Sequence, residues 1–275
     1  MSGLTMSKSK IWHDRIDENP IQINTYPGGE VRLGPLRNHP GLVFALIRDS
    51  DGIMALAQLA NVYRQHCVKG GKMPGLVLMY VPYGRQDRIA IGVEGNEAHA
   101  LKEFARMINA MEWDSVAVYD PHSDVTTALI DRVRVVERVD LVSRMITRVD
   151  SLADGRHNMA LVTPDIGAFK QTIKIAQNYS IPTVCVGEKL RNMETGEITG
   201  STIYTPELLA GKHVIIADDI CDGGRTFTEL GKVIRDRVDV ASLNLYVTNG
   251  IFSKGKDVFT GIFDTVIAAV DWTNY

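Results

Sequence analysis

The feature that most constrains the fold is an alternation of short apolar runs with longer segments of helical periodicity. The apolar runs are rich in valine and isoleucine and nearly continuous, as in strands buried on both faces of a parallel sheet. This alternation predicts an α/β fold with parallel sheets. We expect strands at Gly41–Ile47, Leu76–Val81, Ser115–Tyr119, Met159–Val162, Thr183–Val186, His213–Ala217, Ser242–Val247 and Thr265–Val270. We expect helices at Asp51–Tyr63, Glu97–Met111, Val139–Val149, Phe169–Asn178 and Thr226–Arg235.

The length and the net charge limit the classes of protein to which this chain can belong. The 275 residues allow two domains, and the polar stretch 147–157, which has no clear period, predicts a boundary that gives domains 1–148 and 149–275. The net charge is −3, so no basic excess attracts nucleic acid. No run reaches the roughly 18 apolar residues that span a membrane. The first residues lack the apolar core of a signal peptide, and three widely spaced cysteines fit a reducing compartment, so we expect a cytoplasmic protein.

The strongest local signal is the segment HVIIADDICDGGRTFTEL. An apolar strand leads into Asp218 and Asp219, then into a loop with Gly223 and Gly224, then into a helix expected to begin at Thr226. Loop amides and the free N–H groups of a helix start form a cradle for phosphate, and the threonine hydroxyl can cap the helix. The two carboxylates suit ribose hydroxyls or a magnesium ion held through water. On spacing alone, a plain strand–turn–helix stays open as an alternative.

Other polar segments also follow expected strands. The segment VPYGRQDR offers guanidinium groups for phosphate, including that of Arg85. In VYDPHSD, His122 lies between carboxylates and can bind or orient a metal, and TPDIGA places Asp165 at another strand end. In GEKLRN, Lys189 and Arg191 point the same way on an extended segment and can stabilise charge on a transferring phosphoryl group. Each segment by itself is also compatible with a structural turn or a solvated loop.

Together these segments resemble the motifs of the ribose-phosphate pyrophosphokinases (PRPP synthetases), which have the type I phosphoribosyltransferase fold. The DDICDGGRT segment is similar to the PRPP-binding motif of that fold, RQDR to the ATP-contacting segment of the family, and EKLR to its DKR-type loop. YPGGEV resembles an FxDGE loop that contacts adenine. The resemblance runs from about Tyr26 to Trp272 and implies two similar phosphoribosyltransferase-like domains with parallel sheets, in three-layer α/β/α arrangement.

The resemblance implies transfer of a pyrophosphoryl group from Mg-ATP to the 1-hydroxyl of ribose 5-phosphate, giving PRPP and AMP for nucleotide biosynthesis. It implies Mg²⁺ as cofactor and a homo-oligomer, a dimer or higher. The residues are expected to act as follows: catalytic, Lys189 and Arg191; ATP-binding, Tyr26, Glu30, Arg85, Gln86 and Asp87; ribose-phosphate-binding, Asp218, Asp219, Asp222, Gly223, Gly224, Arg225 and Thr226; metal-binding, His122 and Asp165.

Two positions depart from the family pattern. The family usually has threonine where Gly223 stands and glycine where Arg225 stands. A smaller residue and an added guanidinium can admit a larger or more anionic 5-substituent. ADP-ribose, in an NAD salvage pathway, is therefore an alternative acceptor. A phosphoribosyltransferase that uses PRPP is a further alternative, disfavoured by the presence of RQDR together with the Lys189 and Arg191 pair. A catalytically inactive regulatory subunit is another, disfavoured because every residue type that the chemistry needs is present.

Overall fold

The computed structural model describes residues 5–16, 19–34, 36, 40–68, 70–89, 91–92, 95–191 and 198–275. The chain divides into two compact units, unit 1 (Met1–Val136) and unit 2 (Glu137–Tyr275). This division lies earlier in the chain than the boundary expected at 148. The reason is that Val139, Met145 and Val149 pack in a core of unit 2.

The elements of unit 1 follow one another as strands and helices. Its strands are β1 (Thr5–Met6), β2 (Lys10–His13), β3 (Ile23–Thr25), β4 (Val31–Leu33), β5 (Leu42–Leu46), β6 (Gly75–Leu78), β7 (Ile91–Gly92), β8 (Gly95–Asn96), β9 (Val116–Tyr119) and β10 (Val133–Val136). Its helices are α1 (Ser50–Cys67), α2 (Ala100–Ala110) and α3 (Asp124–Leu129).

The main sheet of unit 1 has the order β10-β9-β6-β5-β2. Its strands pair in parallel except β2, which runs antiparallel along the edge of β5. Alternate strand residues such as Val43, Leu76 and Val116 face one buried core together with apolar residues of α1 and α2. This alternation follows from the two-residue period of a strand, which sends neighbouring side chains to opposite faces. Strands β1, β3 and β4 form a separate antiparallel sheet, and β7 pairs with β8.

The elements of unit 2 begin with two short helices. The helices are α4 (Arg138–Leu141), α5 (Ser143–Asp150), α6 (Phe169–Tyr179) and α7 (Arg225–Arg237). The strands are β11 (Met159–Thr163), β12 (Thr183–Arg191), β13 (Ile198–Ile203), β14 (His213–Cys221), β15 (Ser242–Gly250) and β16 (Thr265–Asp271).

Unit 2 has three layers around a sheet of order β13-β12-β11-β14-β15-β16. Ile216 and other alternate strand residues pack in a core with Phe227 and Ile234 of α7. Their neighbours, such as Ile215, pack in a second core with apolar residues of α4, α5 and α6, including Met145. The sheet therefore buries both faces, as the continuous apolar runs predicted.

The α/β class with two mostly parallel sheets is confirmed. Both main sheets are mixed, because β2 and β13 are antiparallel edge strands. The helix expected at Val139–Val149 is broken into α4 and α5, and α7 begins at Arg225. None of the described helices is both long and apolar enough to span a membrane.

Candidate functional site

The loop between β14 and α7 (residues 222–224, the β14–α7 loop) connects a buried strand to a helix through a left-handed residue. Gly224 is the residue before α7 and has φ of 80°, a conformation that glycine adopts without steric cost. No side chain caps α7, so the expected capping role of Thr226 is not seen, and Thr226 is the second residue of the helix. The Phe227 and Thr228 N–H groups donate to the Gly224 carbonyl at 3.1 and 3.0 Å, and the start of a helix presents the positive end of its dipole to an anion.

The two acidic residues lie inside β14, since this strand extends through Cys221. Asp218 Oδ1 accepts a hydrogen bond from the Asp219 backbone N–H at 2.9 Å. Arg138 Nη1 lies 3.5 Å from the same oxygen, and its side chain is 5% exposed while that of Asp218 is 17% exposed. Burial and the charge of Asp219 raise the pKa of Asp218, and Arg138 opposes that rise. In this acid pair (Asp218 and Asp219), the buried guanidinium of Arg138 therefore limits the rise in the pKa of Asp218.

Four loops of unit 2 share one edge of its sheet, the carboxyl edge of unit 2. Strands β12, β11, β14 and β15 are neighbours and parallel, so the loops that follow them lie side by side. Gly187 allows β12 to approach β11 closely, because a Cβ there would lie 2.9 Å from the Thr163 carbonyl oxygen. In open α/β sheets this is the edge at which ligands bind.

Asp165 is held in place by its own loop after β11. Its Oδ1 accepts a hydrogen bond from the Ala168 N–H at 3.2 Å, and its carbonyl oxygen accepts one from the Thr163 hydroxyl at 2.6 Å. The carboxylate therefore caps the short 3₁₀ turn Ile166–Ala168 that leads into α6. This fixes one carboxylate oxygen and directs the loop along the carboxyl edge of unit 2.

Lys189 and Arg191 belong by their backbone to β12, where they pair with Ser201 and Ile198 of β13. Their side chains lie outside the described part of the structure, so their expected roles stay predictions. The preceding residue, Glu188, is described. Its carboxylate accepts a hydrogen bond from the Tyr204 hydroxyl, which ties the two arms of the β12–β13 hairpin together.

The two polar loops of unit 1 also come together. The loop after β6 contains Gly84, and a Cβ there would lie 3.7 Å from the Cβ of His122 in the loop after β9. Arg85, Gln86 and His122 are exposed, so their side chains are accessible to a ligand. Asp120, which directly follows β9, is buried with φ of 35°, a conformation that a non-glycine residue adopts only when its surroundings impose it.

Asp87 is placed differently from the exposed residues before it. It is 7% exposed and faces the loop of His122. The Ser123 hydroxyl is the largest influence on its carboxylate and lowers its pKa, burial opposes this, and Arg88 and His122 lower it further. Asp87 therefore joins the two loops from inside, which fits a positioning role better than direct contact with a nucleotide.

Tyr26 and Glu30 bracket the turn between β3 and β4. The Tyr26 N–H donates to the Glu30 carbonyl at 2.9 Å, and the Gly29 N–H donates to the Tyr26 carbonyl at 2.8 Å. Tyr26 is 41% exposed and contributes to a shallow cavity of about 470 Å³ beside α1, lined also by Val31, Gln58 and Val62. An exposed aromatic ring at a hairpin tip is available for stacking.

The two expected metal ligands lie in different units, His122 in unit 1 and Asp165 in unit 2. Across the described ranges, no three or more His, Cys, Asp or Glu side chains are grouped so as to hold a metal ion. Magnesium is usually bound by one or two carboxylates together with substrate phosphates and water, so single carboxylates fit a magnesium ion that arrives with a nucleotide.

Sequence reasoning missed two cations of unit 2. Arg138 lies 80 residues before Asp218, and no local pattern connects them. Lys254 follows β15, the strand next to β14. The expectation that parallel strands bring their loops to one edge would have been sufficient to find Lys254. A Cβ on Gly223 would lie 3.5 Å from the Lys254 side chain.

Comparison with known proteins agrees with this architecture. The family "Phosphoribosyl transferase domain" matches residues 135–249. The chain is 26% identical over 207 residues to a ribose-phosphate pyrophosphokinase of Cereibacter sphaeroides, covering 74% of this chain and 57% of that protein. It is 26% identical over 177 residues to the ribose-phosphate pyrophosphokinase of Mycoplasma pneumoniae, covering 64% of this chain and 51% of that protein. The matched region thus spans little more than half the length of these relatives.

A solved structure shares the fold across both units. The phosphoribosylpyrophosphate synthetase from Mycobacterium smegmatis superposes with a TM-score of 0.70 at 18% identity, covering 90% of this chain and 79% of that one. The family match over residues 135–249 and the curated relatives show distant homology, at about 26% identity, to the ribose-phosphate pyrophosphokinases, and the solved structure shows the shared fold.

Proposed function

We propose that this chain transfers a pyrophosphoryl group from Mg-ATP to the 1-hydroxyl of ribose 5-phosphate, giving PRPP and AMP. The observation that carries the proposal is the β14–α7 loop with the acid pair before it. An anion can bind at the loop amides and the start of α7 while Asp218 and Asp219 lie within the strand that leads to them. A ribose phosphate has this combination of a phosphate and vicinal hydroxyls.

The roles of the unit 2 residues follow from this placement. The segment 222–226 binds the 5-phosphate, and the acid pair binds the 2- and 3-hydroxyls. The 1-hydroxyl oxygen forms a bond to the β-phosphorus of ATP as the bond from that phosphorus to the AMP oxygen breaks, and a carboxylate of the pair accepts the hydroxyl proton. Positioning and charge neutralisation supply most of the rate in such a transfer. Lys189 and Arg191 stabilise the charge that develops on the transferring group.

The unit 1 residues bind the nucleotide in this proposal. Arg85 and Gln86 contact the ATP phosphates, and Tyr26 and Glu30 contact adenine. Asp87 positions the loop of His122. His122 and Asp165, each in its own unit, are the proposed magnesium-binding residues, and a magnesium ion that arrives with the nucleotide would supply neutralisation of phosphate charge.

One observation favours a second acceptor, ADP-ribose, with the same chemistry. At Gly223 the loop has no side chain, and the nearest atoms to a Cβ there are 3.5 Å away, at the stem of Lys254. A lysine stem therefore borders the loop at Gly223, so a cation lies beside the position proposed for the first phosphate. Arg225, by contrast, is engaged with Glu229 at 2.6 Å along α7.

The test is release of AMP from Mg-ATP, measured with ribose 5-phosphate and separately with ADP-ribose. AMP with ribose 5-phosphate supports the main proposal. AMP with ADP-ribose alone supports the second acceptor and refutes the first. If protein that still binds both compounds releases no AMP with either of them, pyrophosphoryl transfer is refuted. The alternatives of a phosphoribosyltransferase or a regulatory subunit are then favoured.

The catalytic role of Lys189 has its own test. Lys189→Ala is expected to lower kcat by about 100-fold or more with acceptor KM little changed, because the lysine acts on charge that develops in the transition state. Lys232→Ala, on the exposed face of α7, makes the same change of charge away from the site. Turnover unchanged in Lys189→Ala, or lowered equally in Lys232→Ala, would refute the role.

A further inference from the structure

Lys254 lies across the glycine of the β14–α7 loop. Strand β15 pairs with β14 as far as Gly250 opposite Cys221, so the segments that follow the two strands run side by side. The Ser253 N–H donates to the Asp222 carbonyl at 3.1 Å and joins the two segments. A Cβ on Gly223 would lie 3.5 Å from both Cδ and Cε of Lys254, so the lysine stem is at van der Waals distance above the loop.

No carboxylate among the residues that the structure describes neutralises the charge of Lys254. Its neighbour Lys256 pairs with Asp271, and Arg225 pairs with Glu229. Lys254 makes no hydrogen bond or ion pair with another residue in the ranges that the structure describes, and it is exposed. Of the cations around this loop, Lys254 has its charge available to a ligand.

We propose that Lys254 determines acceptor specificity by binding the second phosphate of a diphosphate-bearing 5-substituent, while the β14–α7 loop binds the first. This rests on the acceptor site of the proposed function. The loop amides and the start of α7 satisfy one phosphate group, and further anionic charge needs a further cation. An ammonium on a flexible four-carbon stem is suited to a phosphate whose position is less constrained, and Gly223 lets that stem lie within van der Waals distance of the loop.

The test measures binding by calorimetry without ATP, so that it does not depend on turnover. ADP-ribose and ribose 5-phosphate are titrated into the wild-type protein and into Lys254→Ala. We expect affinity for ADP-ribose to fall about tenfold and affinity for ribose 5-phosphate to fall less than about threefold, since only the first ligand has a second phosphate. The matched control Lys232→Ala is expected to bind both ligands as the wild type does.

A second variant tests the space over the loop. Gly223→Thr places a side chain beneath the lysine stem and is expected to weaken ADP-ribose binding selectively. Because both changes act on one contact, the double variant should lose less than the two single losses added together. Full additivity, equal losses for both ligands in Lys254→Ala, losses matched by Lys232→Ala, or no binding of ADP-ribose by the wild type would each overturn the inference.

Failure of the proposed reaction is distinguishable from failure of this inference. If the wild-type protein releases no AMP with either acceptor, but Lys254→Ala binds ADP-ribose selectively more weakly than the wild type does, the reaction is refuted and the specificity role stands. If AMP is released and Lys254→Ala binds both ligands normally, the reaction stands and the role of Lys254 is refuted.

Discussion

Replacement of Gly224 by alanine should destabilise unit 2 through backbone strain and steric overlap at the start of α7. Its φ of 80° lies in the left-handed region, which costs a residue with a Cβ about 1–2 kcal/mol. The added Cβ would also lie 2.8 Å from Cζ and 3.0 Å from Cε1 of Phe259, a buried ring, and relief of such overpacking costs about 1–3 kcal/mol. We therefore expect a total loss of about 3 kcal/mol in the free energy of unfolding.

The neighbouring glycine provides the control. Gly223 has no left-handed φ, and a Cβ there meets the Lys254 stem at 3.5 Å, an ordinary contact. Gly223→Ala should therefore change the free energy of unfolding by less than about 0.5 kcal/mol. Comparison of the two variants separates the effect of the left-handed backbone at 224 from the effect of adding any side chain to the loop.

The assay is native-state hydrogen exchange followed peptide by peptide, because two compact units need not unfold together. Peptides from β14 and α7 report on unit 2 alone. Urea unfolding should show the same loss as a midpoint lowered by about 1.5 M, for a dependence near 2 kcal/mol per molar urea. If Gly224→Ala is no less stable than Gly223→Ala, the strain and the contact with Phe259 have been misjudged.

Three further changes test other contacts. Arg138→Met should destabilise unit 2 by about 3 kcal/mol. In the wild type Arg138 lowers the pKa of Asp218, so its removal raises the folded-state pKa of that carboxyl further. The loss in the free energy of unfolding should therefore grow as pH rises; an equal loss at pH 5 and pH 9 would contradict this. Asp49→Ala should cost unit 1 about 2 kcal/mol at pH 7, because its carboxylate caps α1 at the Gly52 N–H and accepts hydrogen bonds from serine hydroxyls. Burial would raise the pKa of Asp49 but these bonds lower it below 3.8, so the contribution is lost as pH falls below about 4, and hydrogen exchange at pH 7 and acid unfolding should show it. Gly231→Ala should lower the melting temperature despite its helical position, since a Cβ would lie 2.6 Å from Ile262 Cγ2; a stabilised variant would refute that reasoning.

The strands and helices that the sequence predicted are those whose signal is local. Runs such as Val214–Ala217 are apolar at every position, because each such strand is covered on both faces, and this needs no knowledge of the partner. The two antiparallel edge strands lack that cover. β13, with the sequence ITGSTI, and β2, with KIWH, owe their place to pairing with β12 and β5, and no periodicity in them indicated it.

The candidate site likewise contains residues whose placement could be predicted from local sequence and residues whose placement could not. The placement of Asp165, Asp218 and the β14–α7 loop at one edge of unit 2 follows from the rule that parallel strands bring their following loops together. The pairing of Arg138 with Asp218 could not be predicted, because it joins residues far apart in sequence through tertiary packing alone. The interior position of Asp87 was also missed, since a charged residue between exposed neighbours is ordinarily solvated.

The pairing of Arg138 with Asp218 also decides where the second unit can be separated from the first. A fragment begun at 149, the boundary that polarity indicates, would keep the acid pair and the β14–α7 loop. It would lack the buried guanidinium beside Asp218 and also Val139, Met145 and Ile146 from the core that covers one face of the sheet. Such a fragment would contain a buried carboxylate without its cation and an uncovered apolar surface. A fragment begun at Glu137 keeps both, so we expect it to be more stable than a fragment begun at 149.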